Sequence, residues 1–126
     1  MAIRFQKPDY IIIYVSNMER SIAFYRDMLG LPLKFSSPGW TELATGEITI
    51  ALHRTLAPEG QASELTARVP AGHAQLGFIV DDLQTAYEDL KARGATFSMA
   101  PEKQPAGRVF AVLHDPDGLG ITLQQR

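Results

Sequence analysis

A repeated pattern, in which a strand runs directly into a helix, constrains this chain more than any other feature. The first copy is "YVSNMERSIAFYRDMLG" and the second is "IVDDLQTAYEDLKARG". Such self-similarity indicates that one structural unit occurs twice in the chain. The alignment superposes Val15 on Val80, Asn17 on Asp82 and, after a slip of one residue, Gly30 on Gly94.

Each helix of the pattern has its own start and stop signals. Asn17 and Asp82 are good N-caps, because their side-chain oxygens accept from helix N–H groups that have no partner within the helix. Gly30 and Gly94 end the helices, since glycine adopts the left-handed conformation of a helix terminus without steric cost. Between these positions, apolar residues recur at helical spacing: Met18, Ile22, Tyr25 and Leu29 in the first copy, and Leu83, Tyr87 and Leu90 in the second.

Short strand patterns surround both helices. "DYIIIYV" and "AQLGFIV" precede them, and a strand after each helix ends near Phe35 and Phe97. Two hairpins follow, "GWTELATGEITIALH" and "GRVFAVLHDPDGLGITLQ", with Gly39 and Gly107 opening corresponding strands. The "DPDG" at 115–118 is a strong turn signal, because Pro presets φ at the first corner and Gly accepts a positive φ.

The sequence therefore predicts an α+β fold made of two tandem βαβββ modules. A length of 126 residues suits one domain, 1–126. Module 1 covers about residues 8–54 and module 2 about residues 73–125. The linker at about 55–72 is rich in Ala, Pro, Gly and polar residues. Each module should form a four-stranded sheet with its helix on one face.

The period of two along a strand divides the residues of each sheet between two faces. The face toward the helix should carry aliphatic residues such as Ile11, Ile13 and Val15, with Leu76 and Phe78 in module 2. We call the opposite side the open face. Its mixture of apolar and polar side chains is what a ligand cavity needs. The cavity residues predicted on it are Tyr10, Ile12, Tyr14, Trp40, Glu42, His53, Gln75, Arg108, Phe110 and Thr122.

Charge and composition exclude several classes of partner. There are 12 basic and 14 acidic residues with no basic run, so nucleic acid and anionic membranes are poor partners. Cysteine is absent, which rules out disulfides and thiolate chemistry. No apolar stretch approaches the roughly 20 residues that span a bilayer, and the N-terminus lacks the apolar run of a signal peptide. We expect a cytoplasmic protein.

These strand–helix copies, together with "VFAVLHDPDGLGITLQ", resemble the vicinal oxygen chelate superfamily. That group includes glyoxalase I, extradiol dioxygenases, fosfomycin-resistance enzymes and bleomycin-binding proteins. The resemblance extends over Tyr10 to Gln125. It implies paired βαβββ modules whose curved mixed sheet has helices on the outer face and a cavity on the inner face. It also implies a homodimer.

Metal-dependent members of the superfamily hold His or Glu ligands on the first and last strand of each module. The resemblance carries these positions to Tyr10, Ala51, Gln75 and Thr122 of this chain. Zn, Ni, Fe and Mn prefer imidazole, thiolate or carboxylate ligands, and none of the four residues supplies one. We therefore expect neither a metal nor another cofactor.

Two histidines leave an alternative open. His53 and His73 lie two residues from ligand positions and, with Glu42, suggest a shifted site for Zn, Ni, Fe or Mn. The interpretation we prefer is that both are partly solvated residues at strand ends. Glu42 and His73 are also the candidates for a general base. His114, which precedes the "DPDG" turn, is expected to serve the turn or the surface rather than catalysis.

The remaining candidates suit binding. Tyr10, Tyr14, Trp40 and Phe110 predict either an aromatic wall for a planar or cationic ligand, or ordinary packing. Glu42 and Arg108 would orient the charged groups of a ligand or form an ion pair with each other.

The leading hypothesis for function is a metal-free protein of the glyoxalase/bleomycin-resistance type that binds an antibiotic-like or aromatic small molecule. The first alternative is a metal-dependent lyase, isomerase or dioxygenase with a displaced site. The second is an enzyme that needs no cofactor and uses Glu42 or His73 as its base.

Overall fold

A computed structural model describes residues 9–55, 74–103 and 107–125 of the chain. It divides into two compact units, Met1–Ala57 and Pro58–Arg126, and each contains one of the predicted modules. His73 and almost all of the predicted linker lie outside the described residues. Across the described residues, no helix combines the length and apolar character that crossing a bilayer requires.

Both modules have the predicted order of elements, which confirms the α+β class. In module 1 the elements are β1 (Tyr10–Val15), α1 (Met18–Ile22) with a π-helical continuation (Ala23–Met28), β2 (Leu33–Ser36), β3 (Trp40–Leu43) and β4 (Thr49–Arg54). In module 2 they are β5 (Leu76–Ile79), α2 (Leu83–Ala92), β6 (Thr96–Lys103), β7 (Val109–His114) and β8 (Gly120–Gln125).

Each module forms one mixed four-stranded sheet. The strand orders are β1-β4-β3-β2 and β5-β8-β7-β6. The first strand of each module pairs in parallel with the last, and the other pairs are antiparallel. The last strand therefore lies in the interior of the sheet, where both of its edges pair with neighbouring strands.

The core of each module lies between the sheet and its helix, as the strand period predicts. Fully or nearly fully buried residues on this side are Ile13, Val15, Leu43, Ile50 and Leu52 in module 1, and Leu83, Leu90, Leu113, Ile121 and Leu123 in module 2. Ile11 differs from the prediction, because its side chain is 38% exposed. β1 is an edge strand and α1 packs on β4, so the start of β1 is left uncovered.

The predicted N-caps are confirmed in both modules. The Asn17 side chain accepts from the backbone N–H of Arg20 at 3.0 Å. The Asp82 carboxylate accepts from the backbone N–H of Thr85 at 3.1 Å. In module 2 the side-chain oxygen of Gln125 also accepts from the N–H of Leu83, at 2.7 Å. The start of α2 is therefore tied to the last strand of its own sheet.

The first helix departs from the prediction of a regular α-helix, and the departure explains the one-residue slip in the repeat. In module 2, α2 closes with bonds from Arg93 N to Asp89 O and from Ala95 N to Leu90 O. The corresponding bonds of module 1 run from Leu29 N to Phe24 O and from Leu31 N to Tyr25 O, each across one more residue. The extra residue is absorbed as a π-helical turn, the usual form of a single insertion in a helix.

The predicted turn at 115–118 is also confirmed. The buried Asp115 carboxylate accepts from the backbone N–H groups of Asp117, at 2.9 Å, and Leu119, at 2.7 Å. Gly118 has a φ of 85°, which a residue with a Cβ rarely adopts. The hairpin of module 2 is thus fixed by its own side chains.

Candidate functional site

The open face of module 1 carries a continuous cluster of four rings. Tyr14, His53 and Trp40 are neighbours in register across β1, β4 and β3. Ring centroids lie 5.4 Å apart for Tyr14 and His53, and 5.8 Å apart for His53 and Trp40. Tyr10 joins the cluster at 5.9 Å from Trp40. We call these four residues the ring cluster.

Much of this aromatic surface is open to solvent. Tyr10 is 48% exposed and Tyr14 is 62% exposed. Phe35, which is 53% exposed, lies in register with Glu42 on the same sheet. Large side chains are usually buried in a monomer, so an exposed group of aromatic residues indicates a surface that binds something. Of the residues predicted for an aromatic wall, Tyr10, Tyr14 and Trp40 lie together in module 1, and Phe35 is a further exposed ring on the same sheet.

Glu42 is fixed beside the rings. The indole Nε1–H of Trp40 donates to Glu42 Oε2 at 2.9 Å. Lys34 Nζ lies 4.0 Å from Glu42 Oε1 and donates a shorter hydrogen bond, of 2.8 Å, to Thr49 Oγ1. The face thus holds a carboxylate and an ammonium group side by side at the edge of the aromatic surface.

Sequence reasoning missed Lys34 and Phe35. The pairing of β2 with β3 is irregular between Leu33 and Phe35. A bulge at this point brings two consecutive residues to the same face, which breaks the period of two that the prediction used. No signal in the sequence marks this bulge.

The open face of module 2 differs in chemistry. Gln75 Nε2 donates to Thr122 Oγ1 at 2.9 Å. The Gln75 side chain also covers Gly120, where an added Cβ would lie only 3.2 Å from Gln75 Cδ. Phe110 is half-buried on β7, and Arg108 is exposed just before that strand begins. Small and amide-bearing residues thus replace the rings of module 1.

The register corrects one correspondence between the modules. The prediction placed Glu42 and Arg108 at neighbouring positions of the repeat. In the sheets, Trp40 pairs with His53 and Phe110 pairs with Gln124, which makes Trp40 and Phe110 the equivalent residues. The prediction matched Gly39 with Gly107, but β3 begins directly after Gly39 whereas β7 begins two residues after Gly107. The predicted Glu42–Arg108 ion pair stays a prediction.

His114 takes part in the turn, as predicted. Its Nδ1 lies 3.0 Å from the carbonyl oxygen of Gly118, so this nitrogen carries the proton and donates. Its Nε2 is buried and has no hydrogen-bond partner among the described residues. A buried acceptor of this kind is unusual, and sequence reasoning had no means of finding it.

The four positions that correspond to superfamily metal ligands are occupied in ways unrelated to coordination. Ala51 is fully buried and has no donor atom. The Gln75 amide and Thr122 hydroxyl are bonded to each other. The Tyr10 ring packs against Trp40. These side chains therefore do not fit a divalent metal.

The shifted site of His53, His73 and Glu42 stays a hypothesis, because His73 lies outside the described residues. His53 is exposed, and its Nδ1 lies 2.9 Å from the carbonyl oxygen of Arg54. Within the described part of the chain, no three His, Asp or Glu side chains cluster as metal ligands do.

Known proteins with the same architecture place this chain in a family. A crystal structure from Sphaerobacter thermophilus DSM 20745, of a member of the glyoxalase/bleomycin resistance protein/dioxygenase superfamily, is 26% identical with a TM-score of 0.74, and the match covers 97% of this chain and 98% of that one. The crystal structure of SMU.1112c is 21% identical with a TM-score of 0.82, covering 96% and 99%. TnmS3, an antibiotic binding protein from Streptomyces sp. CB03234, is 22% identical with a TM-score of 0.75, covering 98% of both chains.

A curated relative, a probable chloroplastic lactoylglutathione lyase of Arabidopsis thaliana, is 27% identical over 122 residues. The match covers 93% of this chain but only 35% of the relative, so this chain spans about a third of that protein. The family model for the Glyoxalase/Bleomycin resistance protein/Dioxygenase superfamily matches residues 7–123, nearly the whole chain. The protein therefore belongs to the glyoxalase/bleomycin resistance protein/dioxygenase superfamily.

Proposed function

We propose that this protein is a metal-free binding protein for an aromatic or amphipathic small molecule, which it holds on the ring cluster of module 1. The observation that carries the proposal is the continuous contact of Tyr10, Trp40, His53 and Tyr14 on an exposed face. A planar ligand that covers these rings buries apolar surface on both partners. Each aromatic pair contributes about 0.5–1.5 kcal/mol beyond the area it buries.

The chemistry of the superfamily ligand positions supports the metal-free part of the proposal. Ala51 offers no donor atom, and the Gln75–Thr122 hydrogen bond satisfies two of the other positions. A metal-dependent relative would need imidazole or carboxylate groups there. TnmS3, an antibiotic binding protein with the same fold, supports binding as the activity.

The sole tryptophan offers a direct test, since Trp40 lies at the centre of the ring cluster. Titration of the protein with planar aromatic compounds should change Trp40 fluorescence in a saturable manner. Tyr10→Ala should weaken binding about three- to ten-fold, because it removes one ring contact. Ile11→Ala is the matched control, since it changes the next residue of the same strand on the opposite side and should leave affinity unchanged.

Metal analysis of the purified protein separates this proposal from the alternative. The probable lyase from Arabidopsis thaliana favours an enzyme. A metal-dependent enzyme would here need His53, His73 and Glu42 as ligands. We expect Zn, Ni, Fe and Mn at far below one equivalent per chain. Stoichiometric metal that is lost in His73→Ala would replace the binding proposal with the enzyme. Turnover that survives chelation and disappears in Glu42→Gln would support an enzyme without a cofactor.

Assembly and location complete the proposal. We expect a homodimer in the cytoplasm, as the family resemblance and the absence of cysteine suggest. Sedimentation equilibrium would measure the assembly, and a mass of one chain at all concentrations would contradict the dimer. Fractionation of the source cells would test the location.

A further inference from the structure

We infer that the ring cluster selects planar ligands that carry a positive charge, with Glu42 as the residue that contacts that charge. The inference rests on the proposed function and names the class of its ligand. It depends on three features of module 1: the orientation of Glu42, the anchoring of Lys34 and the electrostatics of the rings.

One oxygen of the Glu42 carboxylate accepts a hydrogen bond within the protein, and the other can accept one from a ligand. Trp40 Nε1–H donates to Oε2 at 2.9 Å. Oε1 faces Lys34 Nζ at 4.0 Å, which is beyond hydrogen-bond distance. The Glu42 side chain keeps 32% of its surface exposed. A ligand ammonium can therefore reach Oε1 and form the charge-assisted hydrogen bond that Lys34 does not form.

Lys34 offsets the charge of this carboxylate only in part. Its short hydrogen bond goes to Thr49 Oγ1, at 2.8 Å, and its side chain is 46% exposed. An exposed pair at such a separation is weak and is screened by salt. Lys34 raises the local positive potential slightly, so it opposes a cationic ligand without blocking it.

The rings act in the same direction as Glu42. The face of an aromatic ring is electronegative and attracts a cation, and Trp is the strongest of these rings. The hydrogen bond from the Trp40 indole to a carboxylate polarises the indole further toward its face. Tyr10 lies against Trp40 on the same surface. An anionic ligand would be attracted only by the Lys34 ammonium group and would be repelled by both Glu42 and the faces of the rings.

Three naphthalene probes with a positive, a neutral and a negative group on the same methylene test the inference: 1-naphthylmethylamine, 1-naphthalenemethanol and 1-naphthylacetic acid at neutral pH. Affinities would be measured from protein amide shifts in NMR titrations. We expect the amine to bind about five- to ten-fold more tightly than the alcohol, and the acid most weakly. The preference should shrink as salt is added.

Variants assign the effect to the named residues. Glu42→Gln should remove most of the preference for the amine over the alcohol, because an amide oxygen can still accept from Trp40 Nε1–H but carries no charge. Lys34→Met should increase affinity for the amine by about two-fold or more, since it removes a competing cation. Glu19→Gln, which changes an exposed carboxylate on α1, is the control and should change nothing.

The possible outcomes distinguish this inference from the proposed function. Equal affinities for amine and alcohol, or a preference for the acid, would overturn the charge selection while aromatic binding stands. Failure of all three probes to shift any amide of the ring cluster would instead contradict the proposed function itself. A preference for the amine that persists in Glu42→Gln would show that the rings alone select the charge, and would overturn the role given to Glu42.

Discussion

The two modules carry the same apolar pattern on the helix-facing side of their sheets and different side chains on the open face. Equivalent positions in the sheets are Leu43 and Leu113, Ile50 and Ile121, and Leu52 and Leu123 on the helix-facing side. On the open face they are Tyr10 and Gln75, Thr49 and Gly120, Ala51 and Thr122, and Glu42 and Val112. The apolar pattern that builds the fold is repeated, whereas the chemistry of the open faces is not.

The difference suggests that the two open faces have different roles in ligand binding. The open face of module 1 presents exposed rings together with a fixed carboxylate, so it can hold a ligand by stacking and charge. In module 2 the side chains bond to each other, as in the Gln75–Thr122 pair. A polar group whose hydrogen bonds are already made has less to gain from a ligand.

The largest expected effects on stability concern the helix-facing side, where the two modules have the same apolar pattern. Ile50 and Ile121 are 2% and 0% exposed at equivalent positions. Replacing either with Ala should destabilise the protein by about 2–5 kcal/mol, since each change leaves a cavity in a packed core. Urea unfolding measures both losses. Ile→Ala changes that differ by more than about 2 kcal/mol would show that the two cores are not equivalent.

Deletions test the difference between the helices. Removing Asp27, which is exposed, turns the bond from Leu29 N to Phe24 O into an ordinary α-helical bond and should cost no more than about 1 kcal/mol. Removing Glu88 from α2 rotates the following residues by about 100°. It takes Leu90 off the core side, at a cost of about 2 kcal/mol or more. Equal costs in urea unfolding would mean that the π-helical turn is not a tolerated insertion.

Much of this comparison was predictable from the sequence, because it depends on local signals. N-caps, terminal glycines and the "DPDG" turn specify their own backbone, and the period of two divides apolar from polar faces. These signals located both modules and placed Tyr10, Tyr14 and Trp40 on one face. The two caps and the turn are found at the predicted positions.

What escaped prediction depends on irregular pairing between strands. The bulge in β2 brings Lys34 to the side of Glu42, and the pattern "LKFS" gives no sign of it. β7 begins two residues after Gly107, whereas β3 begins directly after Gly39, and this changes which residue is equivalent to Trp40. A shift of one or two residues moves a side chain to another position or face, so functional neighbours are harder to predict than elements.

The helix N-caps of the two modules offer a further comparison, with a smaller expected effect on stability. Asn17→Ala should cost about 1 kcal/mol at any pH, since an amide does not titrate. The cap of module 2 should depend on pH. The hydrogen bond from the backbone N–H of Thr85, and then that from its side chain, lower the pKa of Asp82.

Because the pKa of Asp82 is lower in the folded chain, this stabilisation is complete above the unfolded value of about 3.9 and is lost as pH falls through the folded value. The protection of the Thr85 amide from hydrogen exchange, relative to the intrinsic exchange rate at each pH, should fall in that acidic range. Asp82→Asn keeps a capping oxygen without the charge and should remove the dependence. The same loss of protection in Asp82→Asn would place its cause elsewhere.

The smallest effect concerns the polar pair of module 2. Gly120→Ala would place a Cβ 3.2 Å from Gln75 Cδ, so the Gln75 side chain must move, which is easy for an exposed chain. Ala also restricts the unfolded chain, which favours folding. The net change in unfolding free energy should be within about 0.5 kcal/mol, while the Gln75 side-chain amide signal shifts as its bond to Thr122 is lost.

Thr49→Ala changes the equivalent position of module 1. It should release Lys34 and strengthen the contact of Lys34 with Glu42, which would lower affinity for the naphthylmethylamine probe. If Gly120→Ala changed that affinity as much as Thr49→Ala does, the open face of module 2 would contribute to recognition of the same ligand. That result would contradict the assignment of ligand binding to module 1 alone.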